Sequence, residues 1–395
     1  MSDRILHIVP SLEYSGFGSQ LRCLCAALAD REPRMAVLSL RGHGPLAAEL
    51  TALGVHVESL PTQPGQAMRW PATVLRLLKK FAPDTIHTWT DNANLIGRLI
   101  GLWGRVPRII ASFDSPQKAA LLLESGAQRS LNRWTDAFLI HSDLDSLDLS
   151  KVSLPMDRTY RVPTAISRET VERAQANAGR ERQRWIEQLG LPGDCRMIVT
   201  VGPLQRSKRI KDLCWAMDLL RHVCEKSVLL IVGDGPHRWR LERYGRQVEA
   251  NGRIHFLGAQ PNVLNLMAAS DCVWLAGAPR WSSNTLLEAM SVGAPIVASD
   301  CGAHQVLPEC YTRGCLVPLG DRAGYARRTN LMWQEPTFSE SLSATNEASE
   351  RIVSAHEQAV VAARYLEIYG QLGGVGRASP PLECGRAAAA FDRSR

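Results

Sequence analysis

Residues 284–302 read NTLLEAMSVGAPIVASDCG. Asn284 is a residue type that caps helices, and a helix over Thr285–Val292 is expected behind it. Leu286, Leu287, Met290 and Val292 give that helix its apolar contacts, and Glu288 falls in its first turn. Gly293-Ala294-Pro295 ends the helix. Ile296–Ala298 is then a short β-rich run. A helix feeding a strand through so short a turn is half of an alternating α/β repeat. The alternation continues on both sides, with β-rich runs at Arg196–Val201, Val228–Val232, Ile254–Phe256, Cys272–Leu275 and Leu316–Val317. Strands separated by helical stretches imply a mostly parallel sheet covered on both faces.

Towards the N-terminus the pattern breaks at Ser167–Gly190, which has no strand and is dense in Arg, Glu and Gln. It reads as a helical connector. Before it the alternation resumes. Strands are expected at Ile5–Val9, Met35–Leu40, Val55–Leu60, Thr85–Thr88, Arg108–Ser112, Ala137–Ile140 and Tyr160–Val162. Helices are expected at Gly18–Asp30, Pro45–Leu53, Pro71–Phe81, Asn92–Leu102, Lys118–Arg133 and Leu144–Lys151. The fold class is therefore α/β, with two Rossmann-like domains. Their expected bounds are 1–166 and 167–349. Thr337–Thr345 reads as a polar loop and Glu347–Leu372 as helix. From Gly373 the composition turns to Gly, Ala, Pro and Arg, and residues 373–395 are expected to be a disordered tail.

The composition suits this. The chain has 395 residues, 45% hydrophobic and 22% charged. That excludes a disordered chain, collagen and a small disulfide scaffold. No run of about 18 apolar residues free of charge is present, so a membrane span is not expected. Ile5–Val9 is too short for a secretory signal, with Pro10 and Glu13 following at once. The ten cysteines are then expected as reduced thiols, and none forms Cys-x-x-Cys. A net charge of +7 favours anionic partners without choosing among them.

Several short motifs carry chemistry, each beside a plainer use. Ser15-Gly16-Phe17-Gly18 precedes the first helix and can let backbone approach a ligand, or can serve turn geometry alone. The dinucleotide fingerprint is incomplete, since Leu21 stands where its third glycine belongs; this counts against a nicotinamide-dependent oxidoreductase. Val201-Gly202-Pro203-Leu204 ends a strand, and Lys208 follows where a cation can neutralise a diphosphate, or be one solvated lysine among Arg206, Arg209 and Lys211. Gly233 and Gly235 permit a tight strand-to-helix turn. Asp143-Leu144-Asp145 mimics a metal site, but Ser142 and Asp145 stand at capping-box spacing. His7, His87 and His141 lie on or beside apolar strands and read as satisfied structural histidines.

In this order the segments resemble the family-four, retaining, nucleotide-sugar-dependent glycosyltransferases of GT-B architecture. The series runs from Val201-Gly202 and Lys208 through Val232-Gly233-Asp234-Gly235-Pro236 and Phe256-Leu257-Gly258. It continues through Asn284–Met290, Gly293–Ala298 and Gly314–Asp321. The resemblance implies that the second domain binds the donor through Gly202, Lys208, Gly233, Gly235, Asn284, Leu286, Leu287 and Glu288. Lys208 would meet the diphosphate and Glu288 the ribose, and these two are its catalytic candidates. Gly16 and Gly18 match the acceptor-side loop, and the resemblance implies that the last helix, residues 350–372, crosses back to the first domain. No metal and no cofactor beyond the nucleotide-sugar co-substrate is implied. The acceptor would be a glycan or a lipid-linked sugar, with no nucleic-acid partner. The expected setting is cytoplasmic or peripheral on the inner face of the membrane.

The sequence also departs from the family pattern. Arg280 stands for the first acid of Glu-x7-Glu, followed by Trp281 in place of glycine. Pro203 stands for the diphosphate-binding arginine, Arg209 for the glycine after the lysine, and Phe113 for the first domain's histidine. Pro163-Thr164-Ala165 lacks the hinge asparagine. A GT-B protein with impaired chemistry, acting as a nucleotide-sugar-binding or regulatory partner, is the alternative that these departures raise. Pro71–Phe81 adds a last expectation. Val74, Leu75, Leu78 and Phe81 recur at helical spacing beside Arg69, Arg76, Lys79 and Lys80, which suits loose contact with anionic membrane or an ordinary core-facing helix.

Overall fold

The computed structural model describes residues 4–29, 33–63, 66–113, 126–141, 155–248, 252–277, 283–307, 311, 313–335 and 342–373. The chain divides into two compact units. Unit 1 is Met1–Ala165 with Gln358–Arg395, and unit 2 is Ile166–Glu357.

Unit 1 holds β1 (Arg4–Val9), β2 (Arg34–Ser39), β3 (His56–Ser59), β4 (Thr85–Trp89), β5 (Arg108–Phe113), β6 (Ala137–His141) and β7 (Thr159–Val162). Their order is β3-β2-β1-β4-β5-β6-β7, and neighbouring strands run parallel. The inner strands β1, β5 and β6 are largely apolar because both faces are covered. One face packs Ile5, Leu21, Trp89 and Leu139 against Val361, Tyr365, Ile368 and Tyr369 of the helix Gln358–Gly373. The other packs Leu6, Ile8 and Ile86 against Val74, Leu77 and Leu78 of the helix Trp70–Phe81.

Unit 2 holds β8 (Arg196–Val201), β9 (Ser227–Val232), β10 (Ile254–Gly258), β11 (Cys272–Leu275), β12 (Ile296–Ser299) and β13 (Gly314–Val317). Their order is β10-β9-β8-β11-β12-β13, again parallel. Two Rossmann-like sheets thus stand as the alternation implied. In each sheet the order reverses beside its first strand, and ligands of such sheets bind outside the strand ends at that reversal.

Four expectations change. The first helix is Gly16–Ala27, because Ser15 caps it two residues earlier than Gly18 would allow. The expected loop Thr337–Thr345 gives way at Leu342, where the helix Leu342–Ala355 starts. The single helix Glu347–Leu372 is two, Leu342–Ala355 and Gln358–Gly373. Between them the His356 carbonyl accepts from the Ile166 N–H at 2.6 Å, and Glu357 bridges Ile166 in parallel. That pairing diverts the His356 carbonyl and Glu357 from the helical ladder, while the His356 N–H still reaches the Ile352 carbonyl at 3.0 Å. Fourth, the apolar side of Trp70–Phe81 is taken by the core: Val74 and Leu78 are buried and Phe81 packs on them, while Leu75 is exposed. Of the expected helix Lys118–Arg133, Gly126–Asn132 is seen. Leu144–Lys151, Asp143, Asp145, Arg280, Trp281 and residues 374–395 lie outside the described residues.

Candidate functional site

The reversal in unit 2 puts the ends of β8, β9 and β11 side by side. Gly202 follows β8 at φ 148° and Gly233 follows β9 at φ 131°, both conformations that side-chain-bearing residues rarely adopt. The two turns touch: a Cβ on Gly233 would sit 2.1 Å from the Gly202 carbonyl oxygen. A Cβ on Gly235 would meet the Leu204 carbonyl oxygen at 2.7 Å. Backbone bonds lock this approach, from Gly202 N–H to the Val232 carbonyl at 3.0 Å and from Leu204 N–H to the Asp234 carbonyl at 2.9 Å. Gly233 and Gly235 are therefore required first by chain against chain.

Lys208 closes the 3₁₀ turn Arg206–Lys208 and folds back over these ends. Its Cε would lie 3.3 Å from a Cβ on Gly202, and its Cδ 3.4 Å from one on Gly277, just past β11. The ammonium is thus carried across the mouths of two parallel strands. Burial lowers its pKa, and the Glu288 carboxylate acts the other way by favouring the charged form. The sequence separates these two residues by eighty positions, and the fold couples them.

Glu288 lies on the helix Asn284–Ser291. The cap of that helix is Ser283, whose Oγ accepts from the Leu286 N–H at 3.3 Å, and not Asn284. Glu288 is consequently in the second turn, where compensation of the helix dipole no longer explains it. Leu286 and Leu287 point into the core of unit 2 and are buried. Their side chains are packing groups there.

A third group comes from the end of β12 and had no place among the expected site residues. The Ser299 Oγ donates to the Gly277 carbonyl at 2.5 Å. The buried His304 bonds through Nδ1 to the same Oγ at 3.0 Å and to the Ser299 carbonyl at 3.1 Å. With the hydroxyl proton committed to Gly277, Nδ1 carries the imidazole proton, and Nε2 is left as an acceptor. Burial holds the His304 pKa down at about 4, with the Lys208 charge acting in the same direction. His304 is thus a neutral imidazole beside a cation. Ser299–His304 contains Cys301, Gly302 and Ala303, and no pattern in that stretch singles out His304.

Arg209 is held left-handed at φ 51°, the conformation in which the family pattern has glycine. Its guanidinium pairs with the buried Asp212 at 2.6 Å, and Asp212 also takes Arg322 at 2.7 Å. In unit 1, Gly16 opens the first helix, and the Gly18 N–H is taken by Ser15 Oγ at 3.2 Å. A Cβ on Gly18 would meet Leu46 Cδ2 at 3.1 Å, so close packing accounts for that glycine. Phe113 is wholly buried at the end of β5. Of the three histidines, His87 is satisfied, by Tyr369 at 2.8 Å and Ser112 at 2.6 Å. His7 is satisfied in part: Nδ1 accepts from Trp89 Nε1 at 3.1 Å, and its buried Nε2 has no partner among the described residues. The His141 ring stacks on Trp89.

Two family models match the chain, "Glycosyl transferase 4-like domain" over residues 15–184 and "Glycosyl transferases group 1" over residues 195–335. The chain belongs to the family-four, GT-B glycosyltransferases. Among curated relatives of this glycosyltransferase is the lipopolysaccharide core biosynthesis glycosyltransferase LpsD of Rhizobium meliloti, 25% identical over 74% of this chain and 77% of its own. Another is the UDP-Gal:alpha-D-GlcNAc-diphosphoundecaprenol alpha-1,3-galactosyltransferase of Escherichia coli, 23% identical over 63% of this chain and 66% of its own. The solved structure of Anabaena Alr3699/HepE in complex with UDP-glucose superposes with a TM-score of 0.75 at 18% identity, covering 94% of this chain and 100% of that one. At that identity the likeness speaks for the fold.

Proposed function

We propose that this glycosyltransferase moves a sugar from a nucleoside-diphosphate donor, of the UDP-sugar kind, to a glycan or lipid-linked acceptor in glycan assembly. The observation that carries it is Lys208, held across the ends of β8 and β11 with Glu288 in its field. Breaking the bond between anomeric carbon and phosphate oxygen leaves a diphosphate whose negative charge grows as the bond lengthens. A preplaced ammonium stabilises that charge where it develops. In this reading Glu288 accepts hydrogen bonds from the donor ribose and keeps Lys208 charged. No metal is assigned, because lysine supplies the positive charge at the leaving group. Retention of configuration and a hexosyl donor follow the family.

Relatives named for lipopolysaccharide core synthesis and for a diphosphoundecaprenol-linked acceptor favour an acceptor at a membrane surface. Among the described residues no helix is long and apolar enough to cross a membrane. We place the chain in the cytoplasm, in loose contact with anionic lipid through Arg69, Arg76, Lys79 and Lys80, and assign it no nucleic-acid partner. Transfer and hydrolysis assays with UDP-, GDP- and ADP-sugars test the activity. Lys208→Ala should abolish turnover and Glu288→Ala should weaken nucleotide binding by about 1.5–3 kcal/mol, the worth of a charged hydrogen bond. Unaltered nucleotide affinity in both variants would overturn the site.

A further inference from the structure

We infer that unit 2 carries a second anion site, separate from Lys208, that takes a phosphate-bearing ligand. It is the groove of about 470 Å³ between the turn Gln205–Lys211 and the helix Arg238–Val248. Lys208 does not line it. Its neighbours Arg206, Arg209 and Lys211 do, and they face Arg240 and Arg243 across the groove.

The cations are poorly neutralised. Arg209 is paired with Asp212. Among the described residues no carboxylate lies at ion-pair distance from Arg206, Lys211, Arg240 or Arg243. The one acid between the two helix arginines, Glu242, is taken by Arg238 at 2.8 Å. Arg240 and Arg243 stand three residues apart on one helix face, a spacing at which like charges repel. The first turn of that helix holds no acid, so Arg240 sits near the positive end of its dipole, while Arg238 at the same end is paired with Asp234 and Glu242. A bound anion relieves the repulsion between Arg240 and Arg243 and neutralises Arg206 and Lys211.

The walls are aromatic between the charges. Lys211 Nζ lies 4.3 Å from the centre of the Tyr244 ring, and the Arg240 guanidinium 5.3 Å from that of Trp239. Trp239 is 60% exposed, so its ring is open to contact from a ligand in the groove. Three guanidiniums with a mobile ammonium match a tetrahedral phosphate, which accepts from several directions at once. The volume suits a small phosphate ester, since ligand pockets run from about 300 to 1,000 Å³. That phosphate chemistry has two sources, a soluble ester or a lipid headgroup.

The test is titration of the full chain with sodium pyrophosphate at low ionic strength, beside cosedimentation with phosphatidylglycerol vesicles. Arg240→Gln/Arg243→Gln should weaken the binding about tenfold or more, as expected when two charge-assisted contacts go. Its UDP affinity should be unchanged. Lys208→Ala should do the reverse, losing UDP and keeping pyrophosphate. Trp239→Phe, a milder change, should remove the fluorescence response to the ligand and keep the fold. Loss of pyrophosphate binding in the arginine variant assigns a soluble ester; loss of vesicle binding alone assigns a headgroup. The site is overturned if neither probe binds, if the arginine variant binds as wild type does, or if UDP displaces pyrophosphate one for one.

Discussion

Single residues decide whether the proposed donor site can work. Lys208 has its pKa lowered from 10.5 by burial. UDP affinity should therefore decline with rising pH before the ordinary lysine range is reached, and Glu288→Ala should move the decline to lower pH still; affinity measured from pH 7 to 10 checks both. Gly233 has no room for a methyl group, with the Gly202 oxygen 2.1 Å from where it would go. Gly233→Ala should destabilise the fold by about 2 kcal/mol or more, as backbone strain and overpacking combine, read as a lowered melting temperature. Arg280 lies outside the described residues, and its charge alone supports a prediction. A cation about 4 Å from an oxocarbenium-like centre would oppose it by roughly 4 kcal/mol at an effective dielectric of ~20. Arg280→Glu should then speed transfer from UDP-glucose and slow any transfer from UDP-glucuronate, whose carboxylate suits guanidinium. Equal rates for both donors in both proteins would show that Arg280 does not face the sugar. At this scale the sequence was partly legible. Motif order names Lys208 and Glu288, and the structure brings the two into one electrostatic neighbourhood. Motif order does not name His304, because its significance comes from a hydroxyl five residues away that the turn after β12 folds onto it.

Elements were easier to read than their ends. Every strand expected from its apolar run is present, most plainly the central ones such as β1, β5 and β9, which are buried on both faces and mostly apolar. Helix starts were displaced where a serine rather than the expected residue captured a free N–H. Ser15 moved the first helix to Gly16, and Ser283 moved the helix of Glu288 to Asn284. The second shift has a measurable side. Ser283→Ala should cost about 1 kcal/mol of stability, as loss of a cap does, whereas Asn284→Ala should cost no cap at all; thermal unfolding of the two variants compares them. The break at His356-Glu357 was invisible in the sequence, since residues on both sides suit helix. It arises from a partner 190 positions earlier, the Ile166 N–H, and no local pattern announces such a bond.

On the scale of the whole molecule, unit 1 carries an acid sensitivity that its neutral histidines impose. Burial holds His7 at about 3 and His87 well below 6.5. The unfolded chain takes up protons at these residues below pH 6.5 and the folded chain does not. Stability is therefore fully present above that pH and lost as pH falls, by about 1.4 kcal/mol per pH unit for each such histidine. Melting temperatures from pH 8 to 5 should drop, and His7→Asn should flatten the slope although it weakens the packing. The two-unit plan was legible in the alternation of strands and helices, and the bond between Ile166 and the segment His356-Glu357 was not. That bond has a consequence for how the chain is cut. Unit 2 leaves and re-enters the chain at neighbouring points, so it is an insertion into unit 1 with its own ends already clasped. Residues 166–357 excised as a separate polypeptide should fold unaided and bind UDP, because both new termini fall where native termini can lie close together. Rejoining Ala165 to Gln358 through a short glycine-rich linker should leave unit 1 folded around the helix Gln358–Gly373, a pair of halves whose ligands could be assayed one at a time.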